Sequence, residues 1–290
     1  MKNPVLKGSL LVALGAASYG TLTTFVKLAY AEGFTTYEIN FSQMTLGLLG
    51  LLIINALFVK RKTADLPEPK SRSILKLMAA GTSLGLTGIF YYLAVKYIPV
   101  SIGIVLLMQS VWMGVVLEML VAGKKPGVMK ITAVIVILIG TLLATNVFFN
   151  TLKLDLLGIL WGLLAALSYT ITIYTSNTVA THLPSLRRSL WMMVGGTIVV
   201  WLICIPFLLQ SFNLDIFLKW GPILALFGTV LPPILFTEGM PKINVGLGAI
   251  IASVELPVAV LLAFLFLNEI VNFYQWVGIF IILGAVIIMN

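Results

Sequence analysis

The sequence is poor in the residues that build metal and catalytic sites. Its 290 residues include one cysteine, Cys204, and one histidine, His182. A lone cysteine excludes a disulfide within the chain and a cysteine-based metal site. The sequence also has no His-Glu-x-x-His pattern, and one cysteine and one histidine do not supply the groups of a catalytic or metal site. We therefore expect neither an enzyme nor a protein that carries a metal or other cofactor.

Charged residues are scarce as well. They make up 10% of the chain, against 60% for hydrophobic residues, and the mean hydropathy is +1.10. So much apolar surface exceeds what a soluble domain can bury, which predicts an integral protein of the lipid bilayer. The net charge of +8 comes from short basic clusters between apolar runs. Such clusters are typical of membrane topology signals, so we expect no nucleic-acid partner.

Apolar runs of about 20 residues, long enough to cross a bilayer as helices, recur along the chain. The ten runs lie at 8–30, 36–59, 73–95, 98–122, 127–148, 154–177, 188–210, 216–238, 245–267 and 271–289. The first run follows a basic start, as in a signal peptide, but it continues to Tyr30 and is therefore predicted to be a retained span. Only 60–72 has the composition of a true loop. The sequence predicts an all-α membrane protein with ten transmembrane helices.

Basic residues gather at alternate ends of these runs. With the N-terminus inside, 14 of the 18 lysines and arginines lie on the inner side, and the outer side has Lys27, Lys96, Lys153 and Lys219. Because lysine and arginine accumulate on the cytoplasmic side, both termini are predicted to be cytoplasmic.

Two internal similarities divide the chain into halves. The stretch "GSLLVALGAASY" from Gly8 aligns without gaps with "GILWGLLAALSY" from Gly158, so Tyr19 corresponds to Tyr169. A weaker similarity joins "VSIGIVLLMQSVW" from Val100 to "VGLGAIIASVELP" from Val245. We predict two five-helix repeats, residues 1–150 and 151–290. Five is an odd number, so the second repeat crosses the membrane in the opposite sense, as an inverted five-plus-five repeat.

These stretches resemble the EamA-type ten-span transporters of the drug/metabolite transporter superfamily. In "SYGTLTTFVKLA" Tyr19 stands where the family often has tryptophan, and Lys27 is kept. The segment "VELPVAVLLAFLFLNE" fits the family's Glu-Pro pair and closing Gly-Glu, with one residue inserted between Glu255 and Pro257. The first repeat departs from this pattern. It has Ser110 and Trp112 at those two positions and Lys124 where Glu269 stands, and Gln43 stands where many members have arginine.

The resemblance implies a secondary transporter of the bacterial inner membrane that moves a small-molecule substrate through a central cavity by alternating access. It most often implies export of amino acids or related compounds. An uptake carrier for a cationic amine such as choline is the alternative, and a channel is less favoured because no filter motif is present. The substrate, the direction, coupling to protons and the choice between monomer and homodimer stay open.

Glu255 is the one charged side chain in the 22 residues from Leu247 to Asn268. It lies near the middle of the ninth run, on a helical face of mostly small residues, and no lysine or arginine is predicted at its depth. Such a carboxylate is costly in a bilayer and is functional by default. It can be protonated, bonded to backbone that Pro257 loosens, or exposed to a wet cavity. We expect a proton-coupling or cavity carboxylate, with a structural tie between helices as the alternative.

Other side chains within the runs are weaker candidates. Aromatic residues with a polar tip and short polar residues can bind a substrate or simply pack between helices. The substrate-binding candidates are Tyr19, Tyr91, Tyr92, Gln109, Trp112, Ser168 and Tyr169. Gly239 and Pro257 are hinge candidates. Glu118, near Lys124 and Lys125, and Glu238, near Lys242, are predicted to be boundary charges.

Overall fold

The computed structural model describes residues 3–62, 71–98, 100–123, 125–145, 155–267 and 270–289, and within these ranges the chain forms helices and no strand. The helices are α1 Pro4–Ala31, α2 Thr36–Lys62, α3 Ser71–Tyr97, α4 Val100–Leu107, α5 Ser110–Ala122, α6 Val128–Ala144, α7 Leu156–Thr178, α8 Ser185–Leu208, α9 Ile216–Lys219, α10 Gly221–Ala225, α11 Leu231–Gly239, α12 Val245–Ala252, α13 Glu255–Phe266 and α14 Phe273–Met289. A π-helical turn, Leu226–Val230, joins α10 to α11, and a 3₁₀ turn, Met240–Lys242, follows α11.

Among the described residues, eight helical stretches are long and apolar enough to cross a membrane, judged by length and composition. They are Pro4–Ala31, Thr36–Phe58, Ser71–Tyr97, Ile102–Ala122, Leu156–Thr178, Ser185–Leu208, Gly221–Lys242 and Val245–Phe266. Two shorter apolar helices, α6 and α14, lie at the fifth and tenth predicted runs. That all ten runs cross the membrane, and that both termini are cytoplasmic, stay predictions. Lys2, Lys124, Lys153, Glu269 and most of the 60–72 loop lie outside the described residues.

The fourth and ninth runs, each predicted to be one span, are both broken near the middle. Pro257 suggested such a break in the ninth run only. α4 ends at Leu107 and α5 begins at Ser110, while α12 ends at Ala252 and α13 begins at Glu255. Both breaks therefore fall at positions 145 residues apart, the spacing of the sequence similarity.

Tight backbone bonds between residues three apart replace the α-helical pattern at both breaks. The N–H of Gln109 donates to the carbonyl of Leu106 at 3.0 Å, and the N–H of Val254 donates to that of Ile251 at 3.1 Å. Trp112 stands at the position of Pro257 in the first copy, so a proline is not what breaks the helix there. The carbonyl of Ser253, which Pro257 cannot pair with, accepts from the N–H of Leu256 at 3.2 Å.

Glycines bring helices of the two halves into close contact. A Cβ on Gly195 of α8 would collide with the backbone of Met78 in α3, and a Cβ on Gly81 would collide with that of Met192. Small residues permit this backbone-to-backbone approach in membrane bundles. The glycines of α3 and α8 therefore allow close packing of α3, the third helix of the first half, against α8, the second helix of the second half.

Ser18 and Ser168, which correspond in the repeat alignment, make matching bonds across the halves. The Ser18 hydroxyl donates to the carbonyl of Phe227 at 2.8 Å, and the Ser168 hydroxyl donates to that of Ser83 at 2.8 Å. Each serine thus ties the first helix of its own half to the third helix of the other. The hydrogen bonds of the two serines therefore follow the repeat detected in the sequence.

Candidate functional site

Helices from both halves surround a cavity of about 390 Å³. α1, α2, α3 and α4 of the first half and α7, α13 and the π-turn of the second half line it. Its lining runs from Glu255 to Ile270, whose side chain is 92% exposed. The cavity therefore extends from the break between α12 and α13 to the protein surface at the start of α14.

Glu255 is the first residue of α13 and lines this cavity. A carboxylate there is favoured by the positive end of the helix dipole, since the first N–H groups of a helix lack intrahelical partners. The hydroxyl of Tyr169 donates to Glu255 Oε2 at 3.2 Å. Over the described part of the chain, the ion pairs join Glu118 to Lys130, Glu32 to Lys219 and Glu238 to Lys242, and none involves Glu255.

Gly20 places α1 directly against the backbone of Glu255. A Cβ at Gly20 would collide with the carbonyl oxygen of Glu255 and would lie 2.9 Å from the Val258 side chain. The absence of a side chain lets α1 and α13 cross at the level of the break. Tyr19, the residue before Gly20 on α1, lines the cavity beside Glu255.

Four of the tyrosines singled out in the sequence line the cavity: Tyr19, Tyr91, Tyr92 and Tyr169. The repeat-related Tyr19 and Tyr169 meet edge to face with ring centroids 6.1 Å apart. Both rings also pack on buried Phe236, at 5.8 Å and 6.5 Å. The rings of Tyr91 and Tyr92 lie 6.0 Å apart. The structure thus gathers these tyrosines and Glu255 around one space, and their role in binding stays a prediction.

Three other candidates, all within the described residues, do not line this cavity. The Trp112 indole N–H donates to Gln109 Oε1 at 2.9 Å, and the Trp112 side chain is 38% exposed. Ser168 is buried and its hydroxyl donates a hydrogen bond to the carbonyl of Ser83. Those contacts give each of the three a local structural partner.

The two hinge candidates occupy well-packed positions. A Cβ at Gly239 would lie 2.8 Å from the carbonyl oxygen of Gly8, so the glycine permits close contact between α11 and α1. Pro257 is buried in the first turn of α13, where its missing N–H costs no helical bond. Close packing accounts for the glycine, and hinge motion at either residue stays a prediction.

Comparison with known proteins identifies the family. The EamA-like transporter family matches residues 6–146 and 156–290, which together cover nearly the whole chain. The chain belongs to the EamA-like transporter family. The paired matches agree with two repeats, consistent with the drug/metabolite transporter superfamily. No curated protein matches it. A solved structure titled "Crystal structure of protein" has a TM-score of 0.79 at 13% identity, covering 98% of this chain and 97% of that one, which shows a shared fold.

Membership in this family makes the protein a multi-pass membrane transporter. At the end of the transporter away from Ile270, Glu118 joins the two broken spans. Its carboxylate accepts from Lys130 Nζ at 2.6 Å and from the backbone N–H of Gly246 at 2.7 Å. Lys130 also donates to Asn244 Oδ1 at 3.0 Å. Glu118 is thus part of an interhelical contact at the start of α12, in which Lys130 of α6 also takes part.

Two basic residues of the EamA-like transporter have roles that sequence reasoning missed. Lys27, counted as an outer-side charge and as a residue kept from the family pattern, lines the cavity two turns beyond Tyr19 on α1. Arg188, counted as an inner-side charge, is 2% exposed and donates to the carbonyls of Ser176, Val179 and Thr237 at 2.6 to 3.0 Å. The spacing of Lys27 from Tyr19 was a usable signal. No sequence pattern indicated the carbonyls around Arg188.

Proposed function

We propose that this chain is a secondary active transporter that exports amino acids or related compounds across the bacterial inner membrane. The observation that carries the proposal is the cavity. It is built from both repeats, has the carboxylate of a predicted span at one end, and reaches the protein surface beside Ile270 at the other. Intramembrane acids that face a cavity mark substrate or proton pathways. Inverted repeats with broken helices at the binding site are typical of carriers rather than channels.

The lining of the cavity favours a substrate that carries an amine. Glu255 offers a negative charge at the inner end, and Tyr19 and Tyr169 offer aromatic faces beside it. A protonated amine would be held by charge and by hydrogen bonds to the carboxylate. Hydroxyl and amide side chains along the wall, among them Asn40 and Thr172, supply partners for the other polar groups of an amino acid.

Contacts at the end away from Ile270, which we call the closed end, support alternating access. Besides the Glu118 contact with Gly246, a Cβ on Gly114 of α5 would collide with the Ala249 side chain of α12. α5 and α12 are therefore in close contact, whereas α4 and α13 line the cavity between them. We infer that the α5–α12 contact opens when the substrate passes and that the opposite end closes. With both termini cytoplasmic, the closed end is the cytoplasmic one.

Uptake of a quaternary amine such as choline is the second candidate. Four tyrosines and a carboxylate line the cavity, and aromatic faces around an acid attract a cation that has no hydrogen-bond donor. Amino acids differ from such a cation in needing hydrogen bonds to a carboxylate of their own. A competition experiment therefore distinguishes the two candidates.

The test is counterflow of radiolabelled substrate in proteoliposomes that contain the purified full-length protein. We expect saturable counterflow of at least one amino acid, inhibited by the unlabelled compound and not by choline. Inhibition by choline alone would establish the second candidate. Flux that rises linearly with concentration and shows no counterflow would contradict a carrier.

A further inference from the structure

Lys27 of α1 is a basic side chain in the wall of the cavity. It is partly buried, and among the described residues it is the one lysine or arginine that lines this space, as Glu255 is the one acid. The proposed function uses the acid and gives the base no task. A lysine in a cavity wall presents its positive charge to whatever occupies the cavity.

The position of Lys27 along α1 follows from the contacts of that helix. α1 begins at the closed end, where a Cβ on Gly8 would collide with the Lys242 side chain, and at Gly20 it meets the backbone of Glu255. Lys27 follows Gly20 by seven residues, about 10 Å further along the helix axis. The base therefore lies beyond the acid, on the side away from the closed end.

Lys27 also projects to the same side of α1 as the contact with Glu255. Seven residues are close to two helical turns, so Lys27 leaves the helix in nearly the same direction as Gly20, towards α13. Because each Cα–Cβ bond tilts towards the helix N-terminus, the lysine side chain starts in the direction of Glu255. The residues of α1 that line the cavity recur every three or four positions: Tyr19, Leu22, Thr23, Val26, Lys27 and Tyr30. The two opposite charges therefore face one space, about two helical turns apart.

We propose that Lys27 forms a second subsite, which binds the carboxylate of the substrate while Glu255 binds its ammonium group. This inference rests on the proposed function and narrows the substrate class to compounds that carry both charges. A lysine ammonium group has three N–H donors, so it can bind a carboxylate while it keeps another partner. Hydrogen bonds between groups of opposite charge are also stronger than those between neutral groups.

The same lysine discriminates against a quaternary amine such as choline. Such a compound has a positive charge and no negative one, so Glu255 attracts it and Lys27 repels it. An amino acid meets an opposite charge at both of its charged groups. Specificity of this kind uses a repulsive element as well as an attractive one. We therefore expect removal of the lysine charge to weaken amino-acid binding and to strengthen choline binding.

Thermal unfolding of the purified full-length protein in detergent tests the subsite. Each common L-amino acid is compared with its amide, which lacks the carboxylate, and with its N-acetyl form, which lacks the ammonium group. A ligand that binds the folded protein raises Tm in a concentration-dependent way. At least one amino acid should bind about tenfold more tightly than its amide, the effect of one bond to a charged group. An amide that binds as tightly as its amino acid would overturn the subsite, as would the absence of any shift.

Matched variants assign the effect to Lys27. Lys27→Gln should bind the amino acid about tenfold more weakly and the amide no more weakly, whereas Lys27→Arg, which keeps the charge and the N–H donors, should keep the preference. Lys96→Gln is the control, because it removes the same charge from an exposed lysine that does not line the cavity. Equal amino-acid affinities in Lys27→Gln and Lys96→Gln would overturn the inference. Should Lys27→Gln not fold, the comparison of amino acid and amide in the unmodified protein still decides.

Counterflow in proteoliposomes separates this inference from the proposed function. Amino-acid counterflow with equal affinity in Lys27→Gln and Lys96→Gln would leave the transport function standing and remove the subsite. Stabilisation by N-acetyl amino acids that Lys27→Gln abolishes, without counterflow of any amino acid, would leave the carboxylate subsite standing and remove the proposed substrate class.

Discussion

Glu255 and Arg188 are charged side chains inside the helical bundle, and their surroundings assign them different tasks. The Arg188 guanidinium donates one hydrogen bond from each of its three nitrogens to a backbone carbonyl, so it can move little. Glu255 has one side-chain partner, Tyr169, and lines a cavity. A group held by three fixed acceptors stabilises structure, whereas a group beside an open space can exchange a proton or a ligand.

The first prediction concerns proton coupling by Glu255. If a proton on this carboxylate drives transport, Glu255→Gln fixes an uncharged side chain of the same size and should abolish uptake driven by a pH gradient. Counterflow of labelled substrate, which needs no net proton movement, should remain largely intact. Both activities are measured in the same proteoliposomes. Loss of both, or of neither, would contradict a coupling role.

Tyr169→Phe is the matched variant for this prediction. It removes the hydroxyl that donates to Glu255 Oε2 and keeps the ring that packs on Tyr19 and Phe236. One lost hydrogen bond to a charged group costs about 1.5 to 3 kcal/mol. We expect pH-driven uptake to persist in Tyr169→Phe with a shifted pH dependence, unlike the complete loss in Glu255→Gln.

The second prediction concerns the stability that Arg188 provides. Lysine keeps the positive charge, but one ammonium group cannot reach three carbonyls that the planar guanidinium bonds at once. Arg188→Lys should therefore lower the free energy of unfolding by about 3 kcal/mol, since at least one buried carbonyl loses its donor. The measurement is a denaturant titration in detergent. A loss below about 1 kcal/mol in Arg188→Lys would refute this role of Arg188.

Among the helices, contact between α3 and α8 depends on the glycines at their crossing. The third prediction is that Gly195→Ala destabilises the protein by more than about 2 kcal/mol, because the added methyl group collides with the backbone of Met78, which cannot rotate away as a side chain would. Gly284→Ala is the control, since a Cβ at Gly284 meets nothing within 4 Å. Similar thermal unfolding of the two variants would show that the helices separate at little cost.

The two broken spans show what the sequence could and could not predict about the helices. The similarity between Val100 and Val245 fixed the relation between the fourth and ninth runs, and the structure has both breaks at that spacing. The break in the fourth run was not predicted, because the apolar pattern continues through Gln109. Pro257 suggested a break in one copy only. A break shared by both copies depends on packing between helices, which the hydrophobic pattern of one run does not contain.

At the scale of the whole molecule, the family could be expected from the resemblance of two stretches, the paired repeats from the internal alignment, and the position of Glu255 in a cavity from its being a single acid within an apolar run. The partners of Arg188 and Glu118 could not be expected. Arg188 bonds Thr237, 49 residues away, and Glu118 bonds Gly246, 128 residues away. Such pairs are set by how helices dock, and neighbours along the chain, such as Lys124 and Lys125 near Glu118, do not indicate them.

The predicted inverted repeat leads to an expectation for the contact that closes the opposite end of the cavity. Each residue of one repeat has a counterpart 145 positions away in the other. The counterparts of Gly114 and Ala249, which bring α5 and α12 into contact, are Ala259 of α13 and Ile104 of α4. Both of those residues line the cavity in this structure. Ala263, which corresponds to Glu118, carries no charge. We therefore expect one end to be closed by a charged contact and the other by an apolar one.

The last prediction tests this exchange with cysteines at Ile104 and Ala259, introduced after Cys204→Ser. These cysteines should crosslink only in molecules that have closed this end. Glu118→Gln weakens the contact with Lys130 that holds the other end shut, by about 1 kcal/mol, and should speed crosslinking several-fold. Glu238→Gln is the control, because Glu238 pairs with Lys242 four residues along the same segment and does not join α5 to α12. Equal rates in Glu118→Gln and Glu238→Gln would mean that the Glu118 contact does not hold the closed end.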